Sequence, residues 1–325
     1  MILAGDVGGT KTRLAIYATL EGSFAQQALE TFASPNYAGL EEVVQVFLQK
    51  HKAKVTKVCV GVPSPIVEGK AKPVNLKWEL DEKKLVRALG IKAVRLVNDL
   101  VATTAALPFL SEKDLFVLHP GELSGRENML AVLAPGTGLG VGFLHKKTNQ
   151  YEVIGSEGGH GDFAPNSETE IALLAYLRTK FKRVSYERVL CGPGLVNIYN
   201  FLKDTGRAPE PAALAQRFEN EDQAAVISIS GQSREFEICV QALDIFASVL
   251  GALAGNLVLL TLATGGVYLG GGVSPKILPK LQDGTAVTSY LNKGRLSNFV
   301  AKTPLYVIHD DHAALLGAAY LASTL

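Results

Sequence analysis

Two stretches decide the fold: Gly5-Asp6-Val7-Gly8-Gly9-Thr10-Lys11-Thr12-Arg13 and Ala134-Pro135-Gly136-Thr137-Gly138-Leu139-Gly140-Val141-Gly142. Each follows a short apolar run (Ile2-Leu3-Ala4; Met129-Leu130-Ala131-Val132-Leu133) and leads into another (Leu14-Ala15-Ile16-Tyr17; Val141-Gly142-Phe143-Leu144). That is strand, tight Gly/Thr turn, strand, written twice. Such a turn exposes backbone N–H groups and a hydroxyl with no bulky side chains in the way, which is how backbone holds phosphate. Two of them point to two lobes gripping one nucleotide.

Around these hairpins the chain alternates strand-like and helix-like runs. Leu40 to Lys50 has helical spacing of apolar residues, Val58 to Val62 reads as a buried strand closed by Pro63 and Pro65, and Asp81 to Leu89 as a helix with Asp81 as N-cap. Val94 to Val97 reads as a strand ending at Asn98-Asp99, followed by a small-residue helix, Ala102 to Leu107. The C-terminus repeats that theme: strand Leu305 to Ile308, polar turn His309-Asp310-Asp311-His312, alanine-rich helix Ala313 to Ala322. Hairpin and strand–helix unit both occur twice, the pattern of an ancient duplication. The alternation implies an α/β protein of two domains: 1–109 plus 301–325 as a small domain, and 110–300 as a large one, mostly helical from Ser167 to Leu262.

Composition narrows the class. With 325 residues, 47% hydrophobic and 19% charged, the chain has ample material for packed cores. A net charge of +1 and the lack of a long basic run argue against a nucleic-acid partner. Cys59, Cys191 and Cys239 are odd in number and far apart, which disfavours disulfides or a thiolate zinc site and fits a reducing cytoplasm. Ile2 to Ala4 is too short for a signal peptide. Ile245 to Thr264 is 20 residues without a charge, long enough to cross a bilayer. Asn256, the small pairs Gly251-Ala252 and Ala254-Gly255, and the lack of flanking anchors favour a buried core helix and no membrane partner.

Several polar residues stand where chemistry is done. Asp6 lies inside the first glycine turn; a carboxylate beside phosphate needs an intervening Mg²⁺, so Asp6 reads as a metal residue, directly or through water, against the plain alternative of a turn residue. The stretch is not a Walker loop, because Thr10 stands where a glycine must precede the lysine. Asn98 and Asp99 end a strand, where open α/β sheets put their ligand crevice, yet by position alone they also read as a helix-capping pair. Glu157-Gly158-Gly159-His160-Gly161-Asp162 offers a carboxylate and an imidazole between glycines, suited to vicinal hydroxyls and short of ligands for zinc. Glu187 by itself reads as an exposed helix residue or a partner for Arg183. Gly270-Gly271-Gly272, after the strand Val267 to Leu269, could let a flat purine lie against backbone.

Taken together these segments resemble bacterial ATP-dependent glucokinase, of the actin-like sugar kinase superfamily, from Gly5 to about Leu316. Asp6-Val7-Gly8-Gly9-Thr10 looks like its first phosphate motif, Leu133 to Gly140 its second, and Val267 to Val273 its adenosine motif. Glu157 to Pro165 and Glu187 to Leu195 look like its sugar-site segments. The resemblance implies a two-lobed actin-like (ribonuclease H-like) fold with an interdomain cleft, and phosphorylation of the glucose 6-hydroxyl by MgATP as the first step of glycolysis. It implies Asp99 as general base, with Asn98, Asp99, Glu157, His160 and Glu187 binding the sugar. Nucleotide contacts would come from Gly5, Asp6, Val7, Gly8, Gly9, Thr10, Gly136, Thr137, Gly138, Gly271 and Gly272. It further implies ATP and Mg²⁺ as cofactors, glucose and ATP as small-molecule partners, and a cytoplasmic homodimer. The chain lacks the cysteine-rich zinc motif of the related ROK kinases, and it carries Lys11 where this branch often has Asn, so the resemblance assigns Lys11 no phosphate contact, while its charge leaves one open. Three alternatives remain at this point: a kinase for another hexose, a sugar-sensing regulator and an actin-like ATPase. A sugar-sensing regulator needs a DNA-binding module, for which a hairpin starting at residue 2 leaves no room. An actin-like filament ATPase needs no sugar loop.

Overall fold

The computed structural model describes residues 1–20, 22–73, 76–148 and 150–325. It divides into two compact units: Met1–Asp114 with Tyr151–Gly155 and Asp310–Leu325, and Leu115–Gln150 with Ser156–His309.

The first unit holds a five-stranded sheet. Its strands are β1 (Ile2–Val7), β2 (Lys11–Leu20), β3 (Ser23–Ala33), β4 (Lys57–Val62) and β5 (Ala93–Asn98), in the order β3-β2-β1-β4-β5. β1, β2 and β3 are antiparallel neighbours, while β4 and β5 run parallel to β1. Side chains alternate across the sheet with the period of two that a pleated strand imposes. Leu3, Leu14, Ile16, Val58 and Val60 face one core with Val43, Val44 and Phe47 of α1 (Leu40–His51) and Leu85 of α2 (Glu82–Leu89). Asp81 caps α2 by accepting from the Lys83 and Lys84 amides, and Gly90 closes it in the left-handed region.

The opposite face carries small side chains at its centre, Ala4, Ala15 and Cys59, with Ile2 and Tyr17 beside them. Small residues there let α3 (Asp99–Ala106) lie close to the sheet. This helix begins at Asp99, three residues before the expected start at Ala102, because the Asn98 side chain accepts from the Leu100 amide and satisfies one of the free N–H groups of its first turn.

In the second unit, five strands of the sheet are β6 (Leu115–His119), β7 (Met129–Pro135), β8 (Leu139–Lys146), β9 (Val267–Leu269) and β10 (Leu305–Ile308), in the order β8-β7-β9-β10-β6. β7 and β8 form the second hairpin, and β9 and β10 run parallel to β7. The run β8-β7-β9-β10 thus reproduces β2-β1-β4-β5, strand for strand and direction for direction. β10 lies between β9 and β6. It therefore belongs to the second sheet, and the junction falls after His309, whereas the sequence reading put it at residue 301.

The helices of this unit include α4 (Glu168–Lys180), α5 (Gly192–Asp204), α6 (Gln223–Gln232) and α7 (Glu237–Thr261). α7 is the one helix among the described residues long and apolar enough to cross a membrane. It runs through the core of the unit, with Leu243, Phe246, Leu250, Ala254 and Val258 fully or almost fully buried against the other helices and the sheet. The expectation of a core helix over this segment is met. The last helix, α8 (Ala313–Ser323), packs in the first unit against α3, so closely that a Cβ at Gly317 would overlap the Ala102 carbonyl oxygen. The three cysteines are buried free thiols; burial pushes the Cys59 thiol up to about 12.

Candidate active site

In the first unit the turn Gly8-Gly9-Thr10 joins β1 to β2. The Gly8 amide donates to the Lys11 carbonyl at 2.8 Å, and a Cβ at Gly8 would lie 2.8 Å from that same oxygen. Ser34, reached by way of β3, braces the turn from behind. Its hydroxyl donates to the Gly8 carbonyl at 2.8 Å and meets Thr12 Oγ1 at 2.9 Å, while its amide donates to the Thr10 carbonyl. Ser34 and Thr12 are fully buried, so these bonds are sheltered from water.

Asp6 and Arg13 are direct cross-strand partners, which puts both side chains on one face, and Arg13 Nη1 donates to Asp6 Oδ2 at 3.3 Å. Burial raises the Asp6 carboxyl above its usual range even though Arg13 and His312 oppose the shift. On its other side Asp6 is paired with Gly61 of β4. Gly61 has no side chain, and a Cβ there would sit 3.6 Å from Asp99 Cα. Asp99 therefore stands close enough to Asp6 for the two charges to interact. Its carboxyl is pushed up to about 6, first by burial and also by the Asp6 charge, against the Leu100 amide that donates to it at 2.9 Å. The two side chains serve the helix start, as the capping reading has it, and the Asp99 carboxyl is raised above its usual range.

In the second unit the turn Gly136-Thr137-Gly138 joins β7 to β8, with the Gly136 amide donating to the Gly138 carbonyl at 2.8 Å. The Gly192 amide, at the start of α5, donates to the Gly136 carbonyl. The triglycine turn adjoins the same place: the Gly270 amide donates to Leu133 and the Val273 amide to Pro135. Gly271 has φ +70°, and a Cβ there would overlap the Pro135 carbonyl, whereas a Cβ at Gly272 would meet nothing. Gly271 is thus required by the backbone, and the open face lies at Gly272.

Glu157, His160 and Glu187 come together around one imidazole. His160 Nε2 lies 3.9 Å from Glu157 Oε2, and His160 Nδ1 lies 3.8 Å from Glu187 Oε1. Glu157 is largely exposed and Glu187 only 29% exposed in its side chain. The pairing of Glu187 with Arg183, read from their spacing alone, does not form. Glu187 sits in a 3₁₀ turn, Tyr186–Arg188, and its Oε2 accepts from the Leu139 amide at 3.0 Å. Arg183 binds Asp162 (Nε to Oδ1, 2.6 Å) and the His160 carbonyl (Nη2, 2.7 Å), so it pins the loop that carries His160. Cys191 Sγ, bonded to the Glu187 carbonyl and the Gly194 amide, holds the other flank. Arg183 and Ser34 were not recognised as site residues from sequence, because nothing in their local spacing marks them; their partners are remote in the chain or on neighbouring loops.

Two glycine-turn hairpins, each continued by parallel strands in the same order, define an actin-like ATPase fold of the sugar kinase class. A family model described as Glucokinase matches residues 3–325. A glucokinase of Nostoc punctiforme is 37% identical over 340 residues, covering 100% of this chain and 99% of its own. Among solved structures, a glucokinase from an Antarctic psychrotroph superposes with a TM-score of 0.89 at 28% identity, covering 100% and 99% of the two chains. A ROK family glucokinase from Streptomyces griseus, solved with glucose and AMPPNP, shares the fold at a TM-score of 0.65 and 19% identity, covering 100% and 99%. The chain belongs to the glucokinase family: it is an ATP-dependent hexose phosphotransferase.

Proposed function

We propose that this enzyme transfers the γ-phosphoryl group of ATP to the 6-hydroxyl of glucose with Asp99 as general base. The observation that carries this reading is Asp99 itself. It sits at the C-terminal end of a parallel strand, with a carboxyl raised to about 6 by burial. It is ionised at neutral pH, yet basic enough to take the hydroxyl proton as the oxygen attacks phosphorus. Asn98, Glu157, His160 and Glu187 hydrogen-bond the remaining sugar hydroxyls and fix which one faces the phosphate. The turns Gly8-Gly9-Thr10 and Gly136-Thr137-Gly138 cradle the phosphates, Gly8 and Gly136 closing the turns with their own amides, with Gly5, Asp6 and Val7 shaping the first turn and Gly271-Gly272 offering an open backbone face to the adenine.

Asp6 fits a Mg²⁺ bound with ATP. It is a half-buried carboxylate beside the glycine turn, and Mg²⁺ in phosphoryl-transfer sites takes one or two protein carboxylates along with water and phosphate oxygens. When bound, the ion offsets charge on the transferring group. Placement in glycolysis, a cytoplasmic setting and assembly as a homodimer complete the proposal. It is tested by coupled-assay turnover with MgATP against glucose, mannose, fructose and N-acetylglucosamine, with a sugar-free control. Selective turnover on glucose is expected. ATP hydrolysis indifferent to sugar would instead indicate an actin-like ATPase without kinase activity.

A further inference from the structure

Glu187 presents its two carboxylate oxygens to different parts of the second unit. Oε1 faces His160 Nδ1 at 3.8 Å, among the residues that bind sugar in the reading above. Oε2 accepts from the amide of Leu139, the first residue after the Gly136-Thr137-Gly138 turn, at 3.0 Å. The same Oε2 lies 2.6 Å from where a Cβ at Gly138 would be, so a side chain there would push Oε2 away from its present position on that amide. The backbone around Glu187 is held as well. Cys191 Sγ, itself nearly fully buried, bonds to the Glu187 carbonyl, and the start of α5 bonds to Gly136. A charge-assisted bond from carboxylate to a backbone amide is among the stronger ones, and moving one oxygen of a rigid carboxylate moves the other.

We infer that Glu187 is a positioning residue for the phosphate turn as well as a sugar residue, so that one carboxylate couples sugar occupancy to the geometry of the nucleotide amides. Sugar hydroxyls drawn to Oε1 orient Oε2 and order the turn; an empty sugar site leaves the carboxylate free to share itself with His160. By reciprocity, a bound nucleotide tightens sugar binding by the same factor. The inference rests on the reading of Glu187 as a sugar residue.

The test is the dissociation constant of AMPPNP with and without glucose, and of glucose alone, measured calorimetrically on wild type, Gly138→Ala and Glu187→Gln. Far-UV circular dichroism and melting of each variant are recorded alongside. Wild type is expected to bind AMPPNP about 5- to 100-fold more tightly with glucose. In Gly138→Ala, which alters no sugar-binding side chain itself but puts a methyl against Glu187 Oε2, glucose affinity should fall several-fold and the coupling factor should drop toward one. Glu187→Gln should lose most of the coupling and part of the glucose affinity. Wild-type coupling of one, or full coupling in both variants, overturns the inference. If Glu187→Gln binds glucose as wild type does, the sugar-residue reading itself has failed. If Glu187→Gln weakens glucose binding while Gly138→Ala leaves glucose affinity and coupling untouched, that reading stands and the inference alone falls. Should one variant not fold, the other decides.

Discussion

The hairpin β1–β2 closes through Gly8-Gly9-Thr10, and β7–β8 closes through Gly136-Thr137-Gly138. Each first glycine donates its amide across the turn, to Lys11 in one case and to Gly138 in the other, at 2.8 Å in both. Beyond that the two turns are held by different means. The first is braced by neutral, buried hydroxyls, Ser34 and Thr12, and has a carboxylate–guanidinium pair, Asp6 and Arg13, in the strands beneath it. The second is braced by an anion, Glu187, which also faces the imidazole of His160. The tightest neighbour differs accordingly: a Cβ at Gly8 would meet backbone, the Lys11 carbonyl, whereas one at Gly138 would meet the end of a side chain, Glu187 Oε2. The strand order is shared; the supports are not.

The two strand–helix corners diverge in the same way. After β5 the helix starts at once, with Asp99 as its first residue. After β10, the stretch His309 to His312 intervenes before α8, and Asp310 accepts from the His312 amide at 2.9 Å. The largest expected effect tests this contrast. Asp99→Asn should lower kcat by about 10²- to 10⁴-fold with glucose affinity nearly kept, while Asp310→Asn stays within a few-fold of wild type. Comparable losses in both would erase the distinction, and near wild-type turnover in Asp99→Asn would remove the base. In wild type, kcat/KM should fall as pH drops through about 6, where Asp99 gains its proton.

The same carboxyl carries a stability signature. Its folded value of about 6 lies above the ordinary 3.8, so the folded chain favours the protonated form. Stability contributed by that proton is complete below 3.8 and is lost as pH rises through about 6. At about 1.4 kcal/mol per unit, Asp99→Asn should gain about 1–3 kcal/mol at pH 8, read as a higher Tm. The gain should vanish near pH 4. An inactive variant no more stable than wild type at pH 8 would refute burial as the source of the basicity.

Smaller effects separate the two turns. Gly8→Ala forces a methyl against the Lys11 carbonyl and should cost about 1–3 kcal/mol in denaturant unfolding. Gly136→Ala meets nothing closer than 4.0 Å, from the Gly138 carbonyl, and should change stability by no more than about 0.5 kcal/mol. Equal costs at the two positions would mean that the turns are fixed alike after all.

Much of the framework is legible in the chain because its signals are local. Glycine turns between apolar runs mark both hairpins. Short apolar runs mark β4, β9 and β10, and the uncharged stretch ending near Thr264 marks the core helix α7. β3 escaped notice because it sits at a sheet edge with Gln26, Gln27 and other half-exposed residues, so it carries no apolar alternation. β6 is short, nowhere fully buried and also at an edge.

Sequence by itself determined where strands end, where backbone is left bare and which polar residues stand at those ends, since each depends on a handful of adjacent residues. Tertiary structure decided what those residues do. Asp99 becomes more basic because burial, and after it the charge of Asp6 on another strand, disfavours its ionised form. Glu187 abandons its neighbour Arg183 for an amide 48 positions away in the chain. The C-terminal strand joins the second sheet while the helix after it joins the first unit. Each of these outcomes turns on burial and on partners remote in sequence, and local pattern carries no record of either.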